Sequence, residues 1–210
     1  MAKKIVIFPA AGNGLEALSA IDATKYEVVA FIDDDEQKQK QTICNMPVKS
    51  RDFLNQYPEL GILAVVGNPS SFKQRATIIK QLNTQAERWV SVVAPNSYIS
   101  PFATIGHNTL IMPYASLMPQ AEVGNHVVIL PHAVIHHEAK IADYTWVGSH
   151  CVVAGGVQIG ENCWIGSQSV LLQNISLAPK TLIGIGSTLL KSIDEPEQIW
   201  AGNPAKNIKI

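Results

Sequence analysis

Ile135-His136-His137-Glu138 sets two imidazoles and a carboxylate side by side inside an otherwise aliphatic stretch, IHHEAKIADYTW. Imidazole takes and returns a proton near neutral pH, and a neighbouring carboxylate sets its tautomer or raises its basicity. The chemistry this pair offers is general-base activation of a nucleophile. A histidine and an acid that merely share a wet surface would read the same way, so the frame that holds them has to decide.

That frame is a repeat. From Ile99 to Leu189 an aliphatic residue recurs at every sixth position, through Ile105, Ile111, Leu117, Val123, Ile129, Ile135, Ile141, Val147 and onward. Two positions before each stands a small or β-branched residue such as Ala115, Ala133, Cys151, Cys163 or Ser187, and glycine often follows, as at Gly106, Gly148 and Gly166. A period of six is neither the 3.6 of a helix nor a simple alternation of two. Short strands joined by bends satisfy it: the small residue and the aliphatic point inward, and the next three residues turn a corner, where glycine eases the backbone. Three hexads close one triangular coil, and coils stack at the strand spacing of about 4.8 Å, so residues 18 apart lie above one another. About five coils are predicted.

This arithmetic positions the chemistry. Ile135 points inward, so His137 falls on an outward corner and is no core histidine. Gly155 occupies the same corner of the next coil, where its missing side chain leaves room beside His137 and an approachable N–H. Trp146 and Trp164 are 18 apart and are expected to stack on an outer face, either as packing between subunits or as a contact to a cofactor. His132 and His150 are also 18 apart and form a second vertical pair, and His132 stands five residues before His137.

The first 96 residues carry no hexad and alternate strand and helix signals. KKIVIF, YEVVAFIDDD and GILAVVGN read as buried strands, GLEALSAI, RDFLNQY and SSFKQRATIIKQLN as helices, and RWVSVVAPN as a returning strand. A small, doubly wound parallel sheet is predicted over 1–96, followed by the repeat over 97–210, with Ala94-Pro95-Asn96 at the boundary. Ligands of such sheets sit at the carboxyl ends of the strands. Those ends carry Gly12, Asn13 and Gly14 in the first turn, Asp33 and Asp34 after the second strand and Asn68 after the third, so a nucleotide crevice is expected there. Taken singly, the turn lacks the first glycine of a dinucleotide fingerprint, and the acids Asp33 to Glu36 equally suit a solvated loop.

Composition bounds the partners. The formal net charge is −1 and 47% of the 210 residues are hydrophobic, which suits a folded core and offers no basic stripe for nucleic acid. No apolar run approaches the ~20 residues of a membrane span, and MAKKIVIFPAAG lacks the pattern of a secretory signal, so no membrane insertion and a cytoplasmic location are expected. Cys44, Cys151 and Cys163 have no CxxC spacing and read as reduced thiols.

The hexads resemble the left-handed parallel β-helix of the hexapeptide acyltransferases, and the handedness is taken from that resemblance. The two parts together resemble the sugar acyltransferases that modify nucleotide-linked amino sugars or sialic acid, over the whole chain. The resemblance implies a homotrimer that moves an acetyl group from acetyl-CoA, lying between neighbouring β-helices, to a nucleotide-linked sugar held by the amino-terminal domain, in the making of a surface glycan. It implies His137 as base in an Ile-x-His-Glu stretch, Glu138 as its acidic neighbour and Gly155 as oxyanion donor. Trp200-Ala201-Gly202-Asn203-Pro204-Ala205-Lys206 resembles the tail that packs near CoA, which makes Gly202 and Lys206 cofactor contacts beside Gly155 and Trp146. Pro9, Pro131 and Trp146 depart from the family pattern, Trp146 standing where relatives often carry a second histidine. The rival readings are a zinc hydratase like the γ-class carbonic anhydrases, weakened by the lack of any arginine after Arg88, and a CoA- or nucleotide-binding homologue without catalysis. No metal is expected.

Overall fold

A computed structural model describes residues 1–208, so the final two positions of the 97–210 segment, 209 and 210, lie outside the described residues. Strand β1 (Lys3–Phe8) leads into helix α1 (Gly12–Ala17), then β2 (Tyr26–Ile32), β3 (Thr42–Ile43), β4 (Met46–Lys49), α2 (Asp52–Gln56), β5 (Gly61–Ala64) and α3 (Arg75–Lys80). The sheet order is β3-β4-β2-β1-β5, all parallel except the β3–β4 hairpin. Strands β1, β2 and β5 fall where the aliphatic runs predict them. The hairpin was not anticipated, because Thr42 to Lys49 alternates too weakly to announce a strand and turns through Cys44 and Asn45 at positive φ.

The strand expected over RWVSVVAPN is divided: Trp89 makes a single parallel bridge to Ile62 of β5, and β6 (Val92–Val93) pairs with Leu110–Ile111 of the repeat. Sixteen two-residue strands follow, from β7 (Tyr98–Ile99) to β22 (Thr188–Leu189), each ending on the aliphatic of its hexad. Each pairs in parallel with the strand 18 residues away, as Val134–Ile135 does with Val152–Val153, and the coils build a left-handed β-helix. Ile111, Leu117, Ile129, Ile135, Val153, Ile165 and Leu189 are fully buried along its axis, with Ala115, Ala133, Cys151 and Ser187 beside them. Each such aliphatic contributes about 1.5–3 kcal/mol by leaving water. Burial pushes the Cys151 and Cys163 thiols up to about 11 and about 12, so both are inert packing groups.

The glycines serve a different purpose from the one expected. The left-handed corner falls on the third residue after the aliphatic from Ile105 to Ile183, filled by Asn108, His126, His132, Glu138, His150 and Asn162 among others and by glycine only at Gly156 and Gly186. Glycine on the first residue after the aliphatic is demanded by stacking: a Cβ on Gly166 would stand 2.6 Å from the Ile185 nitrogen of the next coil.

The prism has three faces. A valine face exposes Val134, Val152 and Val170; a polar face exposes Thr104, Glu122, Lys140, Gln158 and Ser176; a seam face carries Val92, Leu110, Val128, Trp146, Trp164 and Leu182. The seam face is covered by the α/β unit through one shared core, in which Ile5, Ile7, Phe31, Leu63 and Val65 pack on Val92, Leu110, Met112, Val128 and Trp146. Asn108 pins the two together, accepting the Ala64 N–H at 2.7 Å and donating to the Ala64 carbonyl at 3.1 Å. The prism closes with β23 (Ile199–Ala201) and the antiparallel β24 (Lys206–Asn207) on the same seam face. Among the described residues no helix is long and apolar enough to cross a membrane.

Candidate active site

Ile135 is fully buried and fixes the strand that ends at the edge between the valine and polar faces. His136 is half-buried and donates its N–H to the Val153 carbonyl at 2.9 Å. His137 then turns outward, and its carbonyl accepts the Gly156 N–H at 3.0 Å, tying this corner to the one above. Glu138 takes the left-handed conformation, φ 59°, which folds its side chain back alongside the imidazole. The His137 Nδ1 lies 3.0 Å from Glu138 Oε2. Since a carboxylate only accepts, Nδ1 carries the proton and Nε2 presents its lone pair.

That lone pair lies over Gly155. A Cβ on Gly155 would stand 2.6 Å from both Cε1 and Nε2 of His137, so the room left by the missing side chain is filled by the imidazole itself. Gly155 is buried, and among the described residues its N–H has no hydrogen-bond partner. A base and a free backbone donor thus stand together on one edge, the pairing that acyl transfer requires. The edge is open: the side chains of His137 and Glu138 are 63% and 61% exposed, and a groove of about 530 Å³ on the polar face is lined by Glu138 together with Gln120, Glu122 and Lys140.

The other expected site residues gather elsewhere. A crevice of about 350 Å³ opens between the α/β unit and the seam face, lined by Asn13, Glu16, Gly67, Asn68, Trp146 and Trp164 among others. Gly12 is exposed with open space around it. Asn13 donates to the Gly67 carbonyl at 2.6 Å, joining the first and third strand-end loops. Gly14 is required by packing, because a Cβ there would run into the Pro9 carbonyl oxygen. Asp33 and Asp34 both already have partners, although Asp34 stays exposed. Asp33 is buried and accepts from the Ala10 N–H, the Asp35 N–H and Lys38, while Asp34 is paired with Arg51 at 2.6 and 2.7 Å. Asn68 caps its own turn through the Ser70 and Ser71 N–H groups.

Trp146 and Trp164 stack as the 18-residue spacing predicts, at 5.0 Å and 10°. Trp146 is only 3% exposed, buried in the seam with the Arg75 guanidinium 5.7 Å from its ring, instead of facing outward. It lies on the face opposite the edge that carries His137, so the structure does not bring the two together. Gly202, at φ 103°, and the exposed Lys206 end the same seam face. His132 and His150 stack at 4.7 Å with planes 3° apart. Nitrogen lone pairs lie in the ring planes, so rings stacked this way do not converge on one ion, and His137 belongs to another edge. Among the described residues no group of three His, Cys, Asp or Glu side chains is arranged to hold a metal.

Sequence reasoning passed over Arg75, Asn108 and His126. Asn108, His126, Tyr144 and Asn162 are 18 apart and share one edge, a signal the repeat contains. Arg75, which opens α3, is 1% exposed.

Residues 102–137 and 138–173 match the family model for the bacterial transferase hexapeptide (six repeats), and residues 4–82 match the PglD N-terminal domain. A search of curated proteins finds no match. Among solved structures, the acetyltransferase domain of PglB from Neisseria gonorrhoeae in complex with acetyl coenzyme A is similar at 22% identity, with a TM-score of 0.85 over 99% of this chain and 100% of that one. PerB from Caulobacter crescentus in complex with CoA and GDP-perosamine is similar at 17% identity, with a TM-score of 0.84 over 100% and 98% of the two chains. WeeI from Acinetobacter baumannii gives 19% identity and a TM-score of 0.80 over 98% and 100%. With its two segments matched in this way, the chain carries bacterial transferase hexapeptide repeats behind a PglD-type amino-terminal domain.

Proposed function

We propose that this chain transfers an acetyl group from acetyl-CoA to an amine or hydroxyl of a nucleotide-linked sugar destined for a surface glycan. The observation that carries the reading is the His137 imidazole, held by Glu138 with Nε2 free and seated where a side chain on Gly155 would begin, beside a glycine whose N–H has no partner among the described residues. The similar folds solved with acetyl-CoA, and with CoA together with GDP-perosamine, supply the class of donor and acceptor.

In this mechanism Nε2 removes a proton from the attacking amine or hydroxyl as its nitrogen or oxygen bonds to the thioester carbonyl carbon. The Gly155 N–H stabilises the oxyanion of the tetrahedral intermediate. Collapse breaks the carbon–sulfur bond, and the imidazolium returns the proton to the leaving thiolate. Glu138 keeps Nδ1 protonated and stabilises the imidazolium between the two transfers.

The acceptor is assigned to the crevice at Gly12, Asn13 and Asn68, with Gly14 supporting the turn and Asp33 and Asp34 fixing the loops around it. The division of labour is 1–96 for the nucleotide sugar and 97–210 for acyl transfer. Within one chain that crevice and His137 are separated by the width of the valine face, and the reacting edge has no wall on one side. Both facts support a homotrimer in which the crevice of one copy serves the edge of the next, with CoA between them near Gly155 and its far end toward Gly202 and Lys206. Free thiols at Cys44, Cys151 and Cys163 and the need for acetyl-CoA favour the cytoplasm.

The test is thiol release from acetyl-CoA by the purified chain against a panel of UDP-, CMP-, dTDP- and GDP-linked sugars, amino sugars included, with His137→Ala in parallel. Turnover with one sugar that vanishes in the variant is expected. Tight CoA binding without turnover on any sugar would move the reading to a non-catalytic homologue or another acceptor.

A further inference from the structure

Arg75 is fully buried, and the acyl-transfer steps make no use of it. Its Nε donates to the Val66 carbonyl at 2.7 Å and one terminal nitrogen donates to the His126 carbonyl, while the other terminal nitrogen is buried with no partner. Among the described residues no carboxylate forms an ion pair with it. Burial pushes its pKa down to about 9, so the guanidinium is still charged at neutral pH. Joining two carbonyls needs only neutral donors, whereas a buried cation without a counter-charge is costly. The surplus charge points to an anion that the chain itself does not supply.

The side chain stands directly behind the crevice that opens between the α/β unit and the seam face. Gly67 and Trp146 both line that crevice. A Cβ on Gly67 would stand 3.3 Å from the Arg75 Cδ and 3.5 Å from its Nε, and the guanidinium carbon lies 5.7 Å from the Trp146 ring centroid. The peptide that joins Val66 to Gly67 is trans, so its C=O and N–H point in opposite directions. The carbonyl that accepts from Arg75 thereby aims the Gly67 N–H away from it, and among the described residues that N–H has no partner. Asn13 holds the Gly67 carbonyl at 2.6 Å and fixes the loop from its other side. The crevice lining includes no lysine or arginine and one acid, Glu16, which leaves Arg75 as the positive charge behind its wall.

We propose that Arg75 is a positioning residue for the acceptor: its buried charge, acting through the Val66–Gly67 peptide, holds the diphosphate of a nucleoside-diphosphate sugar against the Gly67 N–H in the crevice. The assignment rests on the reading of that crevice as the acceptor site. The guanidinium polarises the peptide whose carbonyl it binds, which strengthens the Gly67 N–H as a donor to a phosphate oxygen. Buried behind the wall, the cation is screened by salt far less than a surface lysine. The diphosphate in turn supplies the counter-charge that Arg75 lacks, so binding and the stability of the seam rise together.

The experiment titrates the full chain with UDP, dTDP and GDP, with the matching nucleosides and with inorganic pyrophosphate, all at one ionic strength. Calorimetry reads the affinity, and NMR follows the Arg75 Nε–H signal. At least one diphosphate should bind more tightly than its nucleoside and move that signal, which the nucleoside leaves in place. Arg75→Met should weaken the diphosphate roughly tenfold without changing nucleoside affinity, and Arg75→Lys, which keeps the charge, should recover most of the loss. Should Arg75→Met not fold, the Nε–H signal of the parent decides. Equal weakening of diphosphate and nucleoside in Arg75→Met, or an Nε–H signal unmoved by a bound diphosphate, overturns the role of Arg75 and leaves the crevice as the acceptor site. Pyrophosphate binding that needs Arg75, with no nucleotide bound, upholds the charge and sinks the nucleotide reading. No binding of any of these probes overturns both.

Discussion

His137 and Gly155 are 18 residues apart and one coil apart, and the imidazole of the first occupies the place where a side chain on the second would begin. The relationship makes the glycine part of the base's seat as well as a donor. It also separates two effects that mutation can resolve, loss of the proton acceptor and displacement of it.

Replacing His137 by alanine removes Nε2 and should lower kcat by about 10²–10⁴. The side chain is exposed and supports no core, so the unfolding midpoint should hold steady. Steady-state kinetics beside a thermal melt check both halves.

Gly155→Ala puts a methyl group 2.6 Å from the imidazole, and the imidazole is the mobile partner because its side chain faces solvent. A fall in kcat on the order of 10² is expected, with stability within about 0.5 kcal/mol of the parent. An active Gly155→Ala enzyme would mean that the base works from another rotamer.

Trp146→Ala should unfold the chain more easily by about 3–5 kcal/mol, because it opens a cavity in the seam and removes the stack on Trp164 and the Arg75 contact. A packing role leaves the KM for acetyl-CoA unchanged at temperatures where the variant is folded. A rise in that KM would restore the cofactor contact expected from sequence.

Stability should depend on pH through His126. Its pKa is depressed to about 4 in the folded chain from 6.5, so between those values the unfolded chain binds more protons. Stability from this group is complete above about pH 6.5 and declines as pH falls toward 4, a difference on the order of 3 kcal/mol. Chemical denaturation at a series of pH values checks it, and His126→Phe should flatten the curve across this window while lowering stability at pH 7.

By itself the sequence determined the prism, its coil length and the outward corner of His137, because a strict period of six leaves one way to turn aliphatics inward and successive coils then inherit their neighbours. It also marked the strands β1, β2 and β5, whose aliphatic runs are long enough to bury. The hairpin over Thr42 to Lys49 and the transfer of Val92–Val93 to the prism escaped it, since both depend on which edge a short segment meets. Tertiary structure alone decided the fate of the acids and of the tryptophan. Asp33 and Asp34 read as open strand-end carboxylates until Ala10, Lys38 and Arg51 are brought to them across 17 to 23 residues or from the same loop. Trp146 reads as an outward ring until the α/β unit is laid on its face. Spacing along the chain tells which way a side chain points within its own repeat, and only the packing of one unit on another tells what it meets there.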